Sequence, residues 1–114
     1  MKTKNWIRVV LWNVYKRKAA QRGYRWTLSK KQFFSLIKKK CFYCKSSLSN
    51  LFVVPCKSGR YKYSMPYNGI DRKDNKQGYV VSNVVACCKY CNKAKNTMDL
   101  KDFKKWLDRI KKYW

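Results

Sequence analysis

Apolar residues recur along this chain at helical spacing near both ends, and at strand spacing only in a short central segment. Over residues 5 to 20, Trp6, Val10 and Val14 combine with Ile7 and Leu11 to predict a helix with a broad apolar face, closed by Gly23. A second helix announces its start chemically. Ser29 is the N-cap, Gln32 completes a capping box, and Leu28 can staple onto Phe33. Phe33, Phe34, Leu36 and Ile37 give its buried stripe, and Lys38 to Lys40 suit the negative end of the helix dipole, so the chain arrives directly at Cys41. Residues 45 to 68 read as short strands or loops. Asn68-Gly69 begins a turn, and Tyr79-Val80-Val81 and Val84-Val85 have strand character around Ser82-Asn83, predicting a hairpin over about 68 to 86. A helix from Lys89 or Cys91 to Lys95 follows. The last helix starts at Asp99, with Met98 stapling onto Phe103, Asp102 in the first turn, and Phe103, Trp106, Leu107 and Ile110 on its core face. The pattern specifies an α+β fold, mostly helical, with a hairpin and helix at its centre and helices at both ends. It is read as one domain, with a basic N-terminal helix over 1–23 and the main unit over 24–114.

Charge narrows the partners. Twenty-nine Lys and Arg face five Asp, no Glu and no His, for a net charge of +24. Such an excess repels itself unless a polyanion neutralises it, and a nucleic acid does so with release of counterions. DNA is the first expectation and RNA the second; an anionic membrane surface fits less well. A hydrophobic content of 46% with 17% aromatic residues marks a folded chain. The longest early apolar run, Val9 to Trp12, is too short for a signal-peptide core, and no stretch approaches a bilayer span. The acid-free start resembles an organelle transit segment only superficially, because nearly the whole chain is acid-free. The expected location is intracellular and reducing, in a phage- or virus-infected cytoplasm or an organelle matrix, and not secreted. No small-molecule substrate is suggested, and the oligomeric state is left open.

Between residues 1 and 98 the only carboxylates are Asp71 and Asp74, and both lie between two Cys-x-x-Cys pairs, Cys41-Phe-Tyr-Cys44 and Cys88-Lys-Tyr-Cys91. Each pair bends the chain so that two thiolates converge, and two pairs close a tetrahedral zinc site. Four thiolates without histidine make a structural site that contributes folding free energy. The 43 intervening residues require a folded insertion between the knuckles. Buried free thiols or a disulfide are the bland alternatives. Cys87 competes with Cys88, but only Cys88 has the two-residue spacing to Cys91; Cys87 is then a small core residue, and Cys56 has no assigned role. Asp71 and Asp74 either hold a metal or make turn hydrogen bonds.

The run from Asn68 to Lys95 contains Gly-Ile-Asp-Arg, Gly-Tyr, Asn-Val-Val and Cys-Cys-x-x-Cys-Asn-x-x-Lys in that order. It resembles the HNH endonucleases, in particular the zinc-stapled branch of phages, viruses and organelle genomes, over about residues 24 to 112. The resemblance implies a ββα-metal core of the HNH (His-Me finger-like) type with two zinc knuckles, the hairpin and helix gripping one divalent cation, Mg²⁺ or Mn²⁺, between them. By position, Asp71 and Asn92 would ligate that cation, and Asn83 would orient the catalytic loop. Where fuller family members carry a general-base His after the Asp, this chain has Arg72, which stays protonated and can only grip phosphate. Asp74, a substrate phosphate or free hydroxide are then the candidate bases, and activity should rise toward alkaline pH. The implied activity is nicking or cleavage of DNA by metal-assisted phosphodiester hydrolysis. Arg72, Lys73, Lys76, Lys89, Lys93 and Lys95 are the expected nucleic-acid contacts. Tyr61, Tyr63 and Tyr67 either stack on bases or pack under a loop, and the Lys runs at 38–40, 104–105 and 111–112 are solvated faces. The rival is a non-catalytic basic module, an HNH scaffold kept for binding RNA or a ribonucleoprotein.

Overall fold

In the computed structural model, which describes residues 5–114, helix α1 spans Asn5–Gln21. The first four residues of the expected N-terminal unit lie outside the described residues. Gly23, at φ +77°, ends α1 as a Schellman closure: its N–H donates to Ala20 O at 3.0 Å, and Tyr24 N–H donates to Ala19 O at 2.8 Å. The inward face is narrower than the spacing predicted. Ile7, Leu11 and Ala19 are buried, while Trp6 is 44% exposed and meets Tyr63 edge-on at 5.2 Å.

Helix α2, Lys30–Ile37, starts with the predicted box: Ser29 Oγ accepts from Gln32 N–H at 3.1 Å, and Gln32 Oε1 accepts from Ser29 N–H at 3.0 Å. Leu28, Phe33 and Ile37 join Leu11, Ile70 and Val84 in the core. Trp12 and Trp26 both donate Nε1–H to Leu28 O, at 3.3 and 2.9 Å, tying the turn before α2 to α1.

Residues 45 to 68 are largely a hairpin. Strands β1, Asn50–Pro55, and β2, Lys62–Tyr67, pair antiparallel with Asn50 opposite Tyr67. A separate two-stranded sheet follows, made by β3, Gly69–Arg72, and β4, Val84–Cys87, with Gly69 opposite Cys87 and Arg72 opposite Val84. Helix α3, Lys89–Lys95, leaves β4 directly, and α4, Leu100–Tyr113, completes the described chain.

The structure corrects three expectations. Tyr79-Val80-Val81 is not a strand: Tyr79 makes a lone parallel bridge with Trp26, and Val81–Asn83 is a 3-10 turn. The partner of β4 is Gly69–Arg72, so the hairpin closes through a wide loop over 73–83. Asn68 begins no turn either. It is fully buried, donating its N–H to Ile37 O and its Nδ2–H to Lys39 O, both at 2.9 Å, and accepting Ser49 N–H at 3.1 Å. Finally, α4 is anchored only at its first turn. Phe103 is buried, with its ring 5.2 Å from Tyr43, but Leu107 and Ile110 are 40% and 39% exposed, since no described element covers the later turns.

Gly78 marks where the wide loop closes on the segment before α2. A Cβ there would collide with the backbone of Arg25, including its N at 2.9 Å, in a stretch held by Tyr79 N–H to Arg25 O at 2.8 Å and Thr27 N–H to Tyr79 O at 3.0 Å. Backbone cannot yield as a flexible side chain can. Gly78→Ala should therefore cost about 1–3 kcal/mol, read as a lowered thermal midpoint by circular dichroism. An unchanged midpoint would mean the loop does not close here.

Candidate metal centre and catalytic groove

The first knuckle follows α2 and is hooked to β4 by Phe42 N–H donating to Ala86 O at 2.8 Å. Its turn is closed by Lys45 N–H to Cys41 O at 2.9 Å, with Lys45 itself at φ +63°. Cys88 caps α3, its sulfur accepting Cys91 N–H at 3.3 Å, so one helical turn presents both second-knuckle thiols to the first pair. The sulfurs of Cys41, Cys44, Cys88 and Cys91 all lie within 4.8 Å of one another, and those of Cys44 and Cys88 are 3.7 Å apart. Four sulfurs bonded tetrahedrally at about 2.3 Å stand about 3.8 Å apart. The cluster can therefore hold a metal ion such as zinc. Hydrogen bonds with the Ser46 side chain and backbone bring the Cys44 thiol down to about 6. Cys87 is buried beside the cluster and outside it, and burial pushes its thiol up. Cys56 lies in the β1–β2 loop, where its sulfur accepts the Ser58 hydroxyl at 3.6 Å.

Strand β3 carries Asp71, only 8% exposed, and one oxygen of its carboxylate is fully engaged. Oδ2 accepts Tyr43 Oη–H at 2.6 Å and pairs with Lys95 Nζ at 3.1 Å. Tyr43 sits inside the first knuckle, and Lys95 on the helix that carries the second, so each knuckle supplies one donor to the same oxygen. Burial, reinforced by the bond to Asp71, pushes the Tyr43 phenol up and keeps it a donor. Oδ1 has no hydrogen-bond partner among the described residues. Because no fully buried side-chain oxygen there is left unpaired, Oδ1 keeps some exposure, and Asp71 lines a groove. Lys95, expected as a nucleic-acid contact, is instead fully buried and also donates to Arg72 O at 3.0 Å. Sequence reading gave Tyr43 no role; an aromatic residue inside a knuckle, and a lysine three residues past Asn92, were the available signals.

Arg72 donates Nη1–H to Asn75 O at 2.7 Å and to Gln77 O at 3.0 Å, and its guanidinium carbon lies 3.5 Å from the Tyr24 ring centre. Nε and Nη2 keep their donors free of partners among the described residues. Asn83 spends its whole amide on the wide loop: Nδ2–H donates to Asp74 O at 3.1 Å and Gly78 O at 2.9 Å, and Oδ1 accepts Asp74 N–H at 3.0 Å. The loop is pinned again at Asn75, whose N–H donates to Asp99 Oδ1 at 2.9 Å and whose Nδ2–H reaches Thr97 O. Asp74 makes the bland turn, accepting Lys76 N–H at 2.9 Å, and lines a separate hollow with Lys73 and Lys76. Asp71, Arg72, Asn92 and Lys89 instead line one groove of about 770 Å³. Asn92, Lys89 and Lys93 are exposed on α3. Tyr61 and Tyr63 contact each other at 5.6 Å, and Tyr67 contacts Phe52 at 6.4 Å, which is packing within the hairpin. No described helix is long and apolar enough to cross a membrane.

No protein-family model matches the chain. Among curated proteins it is 36% identical over 89 residues to the uncharacterized protein R423 of Acanthamoeba polyphaga mimivirus, an alignment covering 78% of this chain but only 14% of that longer protein. Among solved structures it is similar to the rare-cutting HNH restriction endonuclease PacI, with a TM-score of 0.63 and 22% identity over 94% of this chain and 78% of that one. The chain thus has the fold of an HNH restriction endonuclease, helices around small sheets, with a four-cysteine cluster beside its central hairpin.

Proposed function

We propose that this chain is an HNH-type endonuclease of the zinc-stapled, Asp-Arg kind, nicking or cleaving DNA by divalent-metal-assisted phosphodiester hydrolysis. The observation that carries the reading is the open Asp71 Oδ1, in one groove with Asn92 and Arg72 beside the four-thiol cluster. Cys41, Cys44, Cys88 and Cys91 hold structural zinc. The Asp71 carboxylate and the Asn92 carboxamide oxygen suit a hard cation, Mg²⁺ or Mn²⁺. Bound there, it would stabilise charge on the leaving oxygen of a scissile phosphate. Tyr43 and Lys95 fix the carboxylate by its other oxygen, Arg72 offers its remaining donors to the phosphate, and Asn83 holds the loop that carries Arg72's carbonyl partners. Asp74 is spent on its turn, so the proton of the attacking water goes to hydroxide or a substrate phosphate, and the rate rises toward alkaline pH.

One observation favours the binding-module reading: Lys95 already balances the charge of Asp71, in a chain without histidine. Supercoiled plasmid incubated with zinc-loaded protein and Mn²⁺ or Mg²⁺ separates the two. Nicking is expected, lost in Asp71→Asn and kept in Cys56→Ser, with zinc content and circular dichroism confirming that each variant is folded. A folded, zinc-replete protein that cuts nothing between pH 6 and 10 would leave the module reading standing.

A further inference from the structure

We infer that the last turn of α1 forms the second wall of a nucleic-acid groove, with Lys18 and Arg22 gripping phosphates of the strand that crosses Arg72. This rests on the proposal that the substrate is a nucleic acid, and it assigns a role to a helix outside the stretch whose sequence motifs resemble HNH endonucleases. The groove holding Asp71 is lined by Lys18 and Gln21 of α1, by Arg22 just past its end, and by Lys89 and Asn92 of α3. It continues into a second hollow of about 680 Å³ that shares Arg22, Arg72, Asn75, Asn92 and Asn96 with the first and adds Lys93. The two hollows form one trough passing over Arg72.

The wall is preformed. Tyr15 of α1 lies against β3 at Gly69, its hydroxyl 2.8 Å from where a Cβ would stand. The Gly23 closure then turns the chain so that Tyr24 stacks on the Arg72 guanidinium, fixing Arg22 relative to Arg72. Lys18 and Arg22 are both exposed and four residues apart, hence on one face of the helix end. Across the trough stand the cations Lys18, Arg22, Arg72, Lys89 and Lys93 and a single carboxylate, Asp71, already paired with Lys95. Five cations around adjoining hollows, with one carboxylate among them, match a chain of regularly spaced phosphodiesters.

Cations in a final helical turn also favour the helix dipole, and the test must exclude that explanation. Binding of a labelled mixed-sequence 20-base-pair duplex is measured with zinc-loaded protein, without Mg²⁺ or Mn²⁺, over a range of NaCl concentrations. Each lost phosphate contact lowers the slope of log K against log salt by about 0.9. Arg22→Ala should lower it by about one such step, Lys18→Ala plus Arg22→Ala by about two, with affinity down about tenfold or more at 0.1 M salt. Arg22→Lys should restore the slope, which a variant that merely failed to fold would not allow. Lys16→Ala, on the same helix away from the trough, should leave it unchanged. A double variant that binds with the same slope and affinity as Lys16→Ala overturns the inference, as does an unaltered protein that does not bind the duplex. Cleavage of the same duplex after adding Mn²⁺ is scored separately. Salt slopes that shift as stated in a protein that never cuts sink the nuclease reading and leave the groove standing.

Discussion

Stripping the four-thiolate cluster of its ion is expected to unfold the protein. Cys41 and Cys88 are buried, and the elements they join are α2 at one end and β4 with α3 at the other. Apparent binding free energies of structural zinc run to about 10–16 kcal/mol at neutral pH, against a total stability of about 5–15 kcal/mol for a domain. A zinc ion held by the cluster would therefore contribute about as much as the whole. Elsewhere the packing is thin: the core cluster draws on α1, α2, β3 and β4, and α4 buries one residue. Dialysis against a zinc chelator should abolish the cooperative thermal transition, and added Zn²⁺ should restore it. Cys88→Ser should behave as the stripped protein and Cys56→Ser as the unaltered one. A protein that keeps its transition after elemental analysis shows no bound zinc would remove the metal from the account of the fold.

The second large effect concerns the buried Lys95. Its ammonium has two acceptors, Asp71 Oδ2 and Arg72 O, and no exposure to water. Replacing it with methionine keeps the length of the side chain but leaves the Asp71 carboxylate nearly buried with one donor, Tyr43. Breaking such a pair from one side costs about 3–5 kcal/mol, whereas neutralising both partners is often close to neutral. Lys95→Met and Asp71→Asn should each lower the urea midpoint strongly, and the double variant should recover most of the loss. Additive effects of the two changes would show that the pair is not coupled in the folded protein. The cycle also bears on function. On the nuclease proposal, Lys95→Met should reduce cleavage at a temperature where the variant remains folded, and added Mn²⁺ should restore part of it as charge compensation returns.

Local chemistry was readable along the chain. The Ser29–Gln32 box, the Gly23 stop and the paired cysteines each depend on neighbours within a few residues, and a single strand of sequence contains those neighbours. The grouping of Cys41, Cys44, Cys88 and Cys91 was legible for the same reason, because each knuckle is a local turn. What could not be read depends on residues far apart meeting. Tyr79-Val80-Val81 has strand composition, yet Gly69–Arg72 takes the place beside β4 because the side chain of Asn83 holds the intervening loop and Tyr79 bridges to Trp26 instead. Lys95 looks like any surface lysine until Asp71 is placed beneath it. Leu107 and Ile110 carry the spacing of a core face, but spacing cannot say whether anything lies opposite. Sequence alone determined where helices begin and end and which thiols pair, through short-range hydrogen bonds and chelating turns. Tertiary structure alone decided which oxygen of Asp71 stays open and which helix walls the groove, since both follow from long-range packing that no local pattern encodes.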